Sequence, residues 1–359
     1  MRKCLQLAEK GKPFVGLNPM VGSVLVKGDG IVAEGFHAGF GLAHAERALI
    51  EKLPGDFSYA DCTLIVNLEP CSHHGKTPPC ADLIIEKGIK KVVVGTLDPN
   101  PLVAGKGVAK LRAAGVSVEV GVLHEECMQL NRKFFVNITE NRSYCIAKWA
   151  STADGFMASS PGMERLMISG EDAQNHLHWL RGYVDAILVG VGTWEADKPR
   201  LDCRMVDPDI EISDSFNPVR VVLDPNLRGN YDADRVDVVF SPLLVLNTLK
   251  DGEEVTPRGN KLHYVKIPNF WVWDELLQIL FKHKISQVLV EGGKQTLEGL
   301  LLSGCADEIM EYRNTALRAG GGVVSPDFPN GWQFQQWLGK DLLRIHRRNL
   351  EILEEGDAV

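Results

Sequence analysis

Positive charge is in deficit in this chain. Its 39 lysines and arginines stand against 47 aspartates and glutamates, for a net charge of −8 and a pI near 5.7. That is not the balance of a dedicated nucleic-acid binder, which carries a basic surface to neutralise phosphates. Long apolar runs are missing as well: none reaches the ~20 residues that a membrane-crossing helix needs. The 8 cysteines are too few and too scattered for a disulfide framework, so a reducing, cytoplasmic setting is expected. Six of them, Cys4, Cys62, Cys127, Cys145, Cys203 and Cys305, read as free, mostly buried thiols. No internal repeat or low-complexity linker is present. The first residues, Met1-Arg2-Lys3-Cys4-Leu5-Gln6-Leu7, run straight into an amphipathic helical pattern and do not look like a signal peptide.

What is present fits an ordinary globular protein. A length of 359 residues with 45% hydrophobic and 24% charged content suggests two domains, each able to bury its own core. In the first half, Val21–Val26 and Ile31–Phe36 read as strands joined by the turn Gly28-Asp29-Gly30. Helical spacing follows over Ala43–Leu53, Cys80–Lys87, Val108–Ala114 and His124–Phe135. Strands are expected at Thr63–Asn67, Lys91–Gly95 and Val116–Val120. In the second half, Tyr144–Ala150, Val184–Val189, Val219–Leu223, Val236–Phe240, Leu243–Leu246 and Gln287–Val290 read as strands, with helices at Glu171–Arg181 and Trp273–Lys282. This alternation predicts α/β architecture with largely parallel sheets. The boundary falls in the short polar stretch 137–142, giving domains at 1–138 and 143–359.

Two short segments carry the chemistry. His44-Ala45-Glu46 is followed by Pro70-Cys71 and then Cys80. One imidazole and two thiols make a three-ligand metal set, and zinc held by three protein ligands keeps a fourth position for water. Such a metal lowers the pKa of its water to about 7. Glu46 is then spare as a carboxylate to move protons. H-x-E followed by P-C-x-x-C marks the zinc deaminases, but here the second half is stretched to Cys71-Ser72-His73-His74-Gly75-Lys76-Thr77-Pro78-Pro79-Cys80. His73 and His74 could ligate on chemistry alone; a thiolate pair with His44 leaves them for substrate contact or loop structure. Gly75-Lys76-Thr77 lacks the upstream glycine of a phosphate loop, since Pro70 holds that place, so no ATP site is expected.

Glu69 to Cys80, together with Asp98-Pro99-Asn100-Pro101, Val103-Ala104-Gly105-Lys106-Gly107 and Asn18-Pro19-Met20-Val21-Gly22, resembles the bifunctional deaminase/reductase family of riboflavin biosynthesis over nearly the whole chain. The resemblance implies a cytidine-deaminase-like three-layer α/β/α domain, then a dihydrofolate-reductase-like α/β domain. It implies one zinc ion on His44, Cys71 and Cys80, Glu46 as proton shuttle and Asn18 facing a pyrimidine. The implied substrate is a phosphorylated diaminopyrimidinone bearing ribosylamine, deaminated and then reduced by NADPH to the ribityl form. No nucleic-acid or membrane partner is implied; a homo-oligomer is left open.

Glycines after two predicted strands, in Gly190-Val191-Gly192-Thr193 and Glu291-Gly292-Gly293-Lys294, suit a phosphate or dinucleotide at a strand-to-helix turn. By the same resemblance, Ala150, Thr193, Asp197, Gly292 and Gly293 contact NADPH, and Arg181, Leu201, Arg204 and Glu291 contact substrate. No 2′-phosphate motif is visible. The chain departs from the family at Glu164-Arg165-Leu166-Met167-Ile168-Ser169, where Arg165 replaces a substrate-contacting serine and Met167 a cofactor-contacting tryptophan. Arg165 could add a phosphate or 2′-phosphate contact, or block the pocket. A rival reading keeps the deaminase and makes the second domain a non-catalytic binding or assembly module.

Overall fold

The computed structural model describes residues 1–12, 14–73, 78–100, 104–160, 162–204, 217–331 and 333–350. The described chain divides into two compact units, Met1–Asn141 and Arg142–Asn349, with Leu350 grouped with the first.

The first unit runs α1 (Arg2–Glu9), β1 (Gly22–Lys27), β2 (Gly30–Phe36), α2 (Ala45–Ile50), β3 (Cys62–Leu68), α3 (Cys80–Glu86), β4 (Lys91–Thr96), α4 (Lys106–Ala113), β5 (Ser117–Val120), α5 (His124–Leu130) and α6 (Arg132–Thr139). Its five strands lie in the order β2-β1-β3-β4-β5. The β1–β2 hairpin is antiparallel and β1 is antiparallel to β3, while β3, β4 and β5 are parallel. Successive strand residues face opposite sides of the sheet, and β1 shows it. Leu25 packs into one cluster with Leu64, Val92, Leu49 of α2, Ile84 of α3 and Leu111 of α4, whereas its neighbour Val24 packs with Cys4 and Leu7 of α1. Helices on both faces of one sheet make the three layers expected.

The helix expected over Ala43–Leu53 is shorter, Ala45–Ile50, and the one expected over His124–Phe135 forms as two, α5 and α6. The pattern His124–Phe135 is interrupted at Asn131, whose side chain is occupied elsewhere. Its Oδ1 accepts the Met20 N–H at 2.8 Å and its Nδ2 donates to the Met20 carbonyl at 2.9 Å. Asn67 Nδ2 adds a second bond to the same carbonyl at 3.0 Å. Two buried amides thereby fix the 18–22 segment.

The second unit runs β6 (Tyr144–Ser151), β7 (Phe156–Ala158), α7 (Glu171–Arg181), β8 (Ala186–Gly190), α8 (Val191–Asp197), β9 (Val219–Leu223), α9 (Ala233–Val236), β10 (Leu243–Asn247), β11 (Gly252–Val255), β12 (Lys261–Lys266), α10 (Trp273–Lys282), β13 (Gln287–Val290), α11 (Lys294–Ser303), β14 (Glu308–Asn314), β15 (Val323–Val324), β16 (Phe334–Leu338) and β17 (Asp341–Arg347). A ten-stranded sheet has the order β11-β12-β10-β9-β8-β13-β6-β14-β17-β16. From β12 to β14 every neighbouring pair is parallel; the edge pairs are antiparallel. The central strands are apolar on both faces, as buried parallel strands are: Leu188, Val221, Leu246 and Val290 pack with Trp273, Leu277 and Leu280 of α10 and Leu297 and Leu300 of α11.

The strand expected over Val236–Phe240 does not form. Asp232 caps α9 by accepting the Arg235 N–H at 2.9 Å, and the short helix takes up Val236 before a turn leads into β10. A run of apolar residues this short cannot separate strand from buried turn by periodicity.

Candidate functional site

In the first unit the topology brings the three soft donors together. His44 is the residue just before α2, Cys71 follows the end of β3, and Cys80 opens α3. His44 Nδ1 lies 3.6 Å from Cys71 Sγ and 3.5 Å from Cys80 Sγ. All three donor atoms fall within 4.8 Å of one another, the one such group among the described residues. Tetrahedral bonds of ~2.1 Å to nitrogen and ~2.3 Å to sulfur would separate the two by about 3.6 Å, so the donors fit zinc in both chemistry and spacing. The Cys80 backbone N–H points at Cys71 Sγ at 3.3 Å. Hydrogen bonds from Cys80 hold the Cys71 thiol well below its usual range despite burial, and its contact with His44 adds to this.

Glu46 sits on the first turn of α2 and is 3% exposed. Burial, reinforced by the neighbouring Cys71 thiolate, pushes its carboxyl up to about 7. Asn18 comes from the clamped 18–22 segment. Its amide Nδ2 donates to His37 Nε2 at 3.0 Å, while His37 Nδ1 faces the Ala43 carbonyl at 3.0 Å. Burial lowers the pKa of His37, so the ring is neutral, with Nδ1 donating and Nε2 accepting. That fixes the Asn18 amide, with its oxygen unpaired among the described residues. His37 was missed in the sequence because a lone histidine in a strand-to-helix connection carries no signal. Exposed His73 is not part of the donor group, and His74, Gly75, Lys76 and Thr77 lie outside the described residues, as do Pro101 and Val103. Glu69 organises the next loop: its carboxylate accepts the N–H groups of Asp98, Gly105, Gly107 and Val108 at 2.8–3.1 Å.

In the second unit a cavity of about 1240 Å³ opens along the C-terminal ends of the parallel strands. Open α/β sheets bind ligands at this edge. Ala150, Arg181, Thr193, Asp197, Arg204, Glu291, Gly292 and Gly293 all line it, and so do Arg165 and Met167. Leu201 does not; it is buried with a left-handed φ of 54°. A Cβ on Gly292 would come within 2.6 Å of the Thr296 side chain, so glycine is what lets this strand-to-helix turn lie flat against α11 and leave room for a ligand backbone. The cavity's size and its glycine turn fit a dinucleotide.

The charges here are arranged differently from a simple pair of phosphate-binding arginines. Arg181 donates from Nε and Nη2 to the two Glu291 oxygens at 2.8 and 2.9 Å, and from Nη1 to the Asp202 carbonyl at 3.0 Å. Arg204 stands near Asp202 at 3.3 Å and is exposed. Burial alone would raise the Glu291 carboxyl, but Arg181 and Lys148 outweigh it and hold it at about 2. Lys148, on β6 in the cavity wall, has its pKa lowered by burial against the attraction of Glu291. Lys148 carries no signal in the linear pattern, because it sits in a largely apolar strand.

Comparisons with known proteins find matches to both units. A family model for the cytidine and deoxycytidylate deaminase zinc-binding region matches residues 1–96, and one for the RibD C-terminal domain matches residues 143–325. The riboflavin biosynthesis protein RibD of Actinobacillus pleuropneumoniae is 41% identical over 91% of this chain and 85% of its own. That of Aquifex aeolicus is 40% identical over 87% and 85% respectively. The crystal structure of a diaminohydroxyphosphoribosylaminopyrimidine deaminase/5-amino-6-(5-phosphoribosylamino)uracil reductase from Thermotoga maritima superposes with a TM-score of 0.82 at 36% identity, covering 97% of both chains.

Fold and sites thus define a zinc-dependent deaminase joined to an NADPH-dependent reductase. The chain belongs to the RibD family of riboflavin biosynthesis proteins and is bifunctional, which disposes of the deaminase-only reading. Its cofactors are zinc and NADPH, and no described helix is long and apolar enough to cross a membrane.

Proposed function

We propose that residues 1–138 deaminate 2,5-diamino-6-ribosylamino-4(3H)-pyrimidinone 5′-phosphate and that residues 143–359 then reduce its ribosyl chain to ribityl, in the cytoplasm. The observation that carries the first step is the donor group of His44, Cys71 and Cys80 beside a buried carboxylate that is not part of it. These three residues hold the zinc, which when bound acts as a Lewis acid that makes water nucleophilic at neutral pH. Asn18, oriented by His37, presents its amide oxygen to the pyrimidine. Glu46 accepts a proton from the attacking water and delivers it to the departing ring amine, which leaves as ammonia; a carboxyl tuned to near neutrality suits both transfers.

In the reductase, Ala150, Thr193, Asp197, Gly292 and Gly293 cradle NADPH, which supplies a hydride when bound. Arg204 contacts the substrate together with the Arg181–Glu291 pair; Leu201, buried outside the cavity lining, does not. Lys148, beside Glu291 in the cavity wall, is placed to give a proton to the ribose oxygen as the ring opens. All eight cysteines are free thiols, which suits a reducing compartment.

The experiment is a single incubation of the purified zinc-loaded protein with the diaminopyrimidinone phosphate, followed by mass with and without NADPH. Without NADPH the amine should be replaced by oxygen and ammonia released. With it the product should gain two further hydrogens. Unchanged substrate in both arms would overturn the assignment.

A further inference from the structure

We infer that Arg228 and Trp271 form an adenosine clamp at the far end of the reductase cavity, with the Arg228 guanidinium binding the 2′-phosphate that distinguishes NADPH from NADH. The inference rests on the NADPH-reductase reading above and names the residues behind its cofactor preference.

The cavity is long because four adjacent strands, β6, β13, β8 and β9, all end on it. At ~4.8 Å per strand spacing, β6 and β9 are roughly 14 Å apart, the scale of an extended dinucleotide. Lys148 and Ala150 on β6 with Glu291 after β13 mark the reacting end. The glycine turns after β8 and β13 lie in the middle. Beyond them, the turn after β9 contributes Pro225, Asn226 and Arg228, and the connection after β12 contributes Trp271.

Both side chains at this far end are available. The other cavity-lining cations on described residues are mostly engaged: Arg181 with Glu291, Arg204 with Asp202 and Lys294 with Glu298. Arg228 is exposed and has no ion-pair or hydrogen-bond partner among the described residues. Trp271 is 62% exposed, in edge contact with Phe270 at 5.2 Å on one side only. An indole offers a stacking face for a purine, and a guanidinium offers paired charged donors for a phosphate.

The turn that carries Arg228 is fixed in advance. Asp224, fully buried at the end of β9, accepts the Gly229 N–H at 2.7 Å and the Tyr231 hydroxyl at 2.9 Å. Thr248 holds the Pro225 carbonyl with a 2.8 Å bond from its hydroxyl. Leu227 takes a left-handed φ of 50° between these anchors, a conformation that persists where the surroundings enforce it. Arg165, also without an ion-pair or hydrogen-bond partner among the described residues, stands at the other end. Its segment is tied to β14, on the far side of β6 from β9, through the bond from Asn314 Nδ2 to the Ile168 carbonyl at 2.8 Å. Arg165 therefore serves the substrate end, not the 2′-phosphate.

The test is calorimetric binding of NADPH, NADH and adenosine 2′,5′-bisphosphate to the full-length protein and three variants. Arg228→Ala should weaken NADPH and the bisphosphate on the order of 10- to 100-fold, the worth of a charge-assisted contact, and leave NADH affinity unchanged. Unchanged NADH binding also shows that the variant is folded. Arg228→Lys should recover part of the loss. Trp271→Ala should weaken NADPH and NADH equally, and Arg165→Ala should leave their ratio as it is. An unchanged NADPH/NADH ratio in Arg228→Ala, or a collapsed one in Arg165→Ala, would overturn the inference. Wild-type protein that binds neither nucleotide would instead overturn the reductase reading beneath it.

Discussion

The Glu69 carboxylate accepts the Gly107 N–H at 2.8 Å, and a Cβ on Gly107 would stand 2.0 Å from the Pro70 carbonyl oxygen. The residue before Cys71 and the first turn of α4 are thus packed so closely that only glycine fits between them. With its three other N–H partners, Glu69 both caps α4 and ties down the loop beginning at Asp98.

Replacing Glu69 with alanine leaves four main-chain donors without their acceptor. Each buried, unsatisfied group costs about 1–3 kcal/mol; with some reached by water, Glu69→Ala should lose on the order of 3 kcal/mol. Thermal denaturation monitored by circular dichroism measures it. Gly107→Ala should in addition displace Pro70 and Cys71 and lower zinc content. A variant melting and binding metal like the wild type would refute the packing argument.

The metal centre separates binding from chemistry. Cys71→Ser and Cys80→Ser should emerge from purification without zinc by elemental analysis. Glu46→Gln should keep its zinc but release ammonia about 10²- to 10⁴-fold more slowly, the usual worth of a proton-transfer group. Zinc loss in Glu46→Gln would mean that the carboxylate belongs to the ligand set after all.

His37 acts through Asn18. His37→Ala frees the Asn18 amide to rotate, so KM for deamination should rise several-fold while kcat changes little. His37→Gln, whose amide can still accept from Asn18 Nδ2, should recover part of the effect. A fall in kcat with KM constant would place His37 at the reacting atoms instead.

The Arg181–Glu291 pair makes a pH-dependent contribution to stability. Glu291 is held at about 2 in the folded protein against an ordinary glutamate value of ~4.3. A carboxyl depressed in this way stabilises the fold fully above its unfolded pKa, and the contribution is lost as pH falls from ~5 through 2. Urea midpoints measured across that window should decline in the wild type and decline less in Glu291→Gln. Arg181→Ala, which strands a buried carboxylate, should cost about 3–5 kcal/mol at neutral pH. Equal slopes in the wild type and Glu291→Gln would show that the pair contributes nothing.

Much of the metal centre was legible in the linear sequence, since imidazole, thiols and a spare carboxylate at helix starts and strand ends have few other uses in that combination. Strands such as Val219–Leu223 and Gln287–Val290 and helices such as Glu171–Arg181 and Trp273–Lys282 formed where the hydrophobic pattern put them, because burial selects the period of a long apolar pattern. The pattern failed at Asn131 and at Val236–Phe240, where side-chain bonds to distant or capping backbone outweighed local preference.

The sequence by itself determined the donor set, the spare carboxylate beside it and the alternation of the two α/β units, because these depend on residue type and on periodicity within a few residues. Only the tertiary structure decided that His37 orients Asn18, that Glu69 secures the loop beside Cys71, that Arg181 faces Glu291, and that Arg228 rather than Arg165 stands at the far end of the cavity. Each of those pairings joins segments remote in the chain, and a hydrogen bond or ion pair acts over about 3 Å of space whatever the sequence separation.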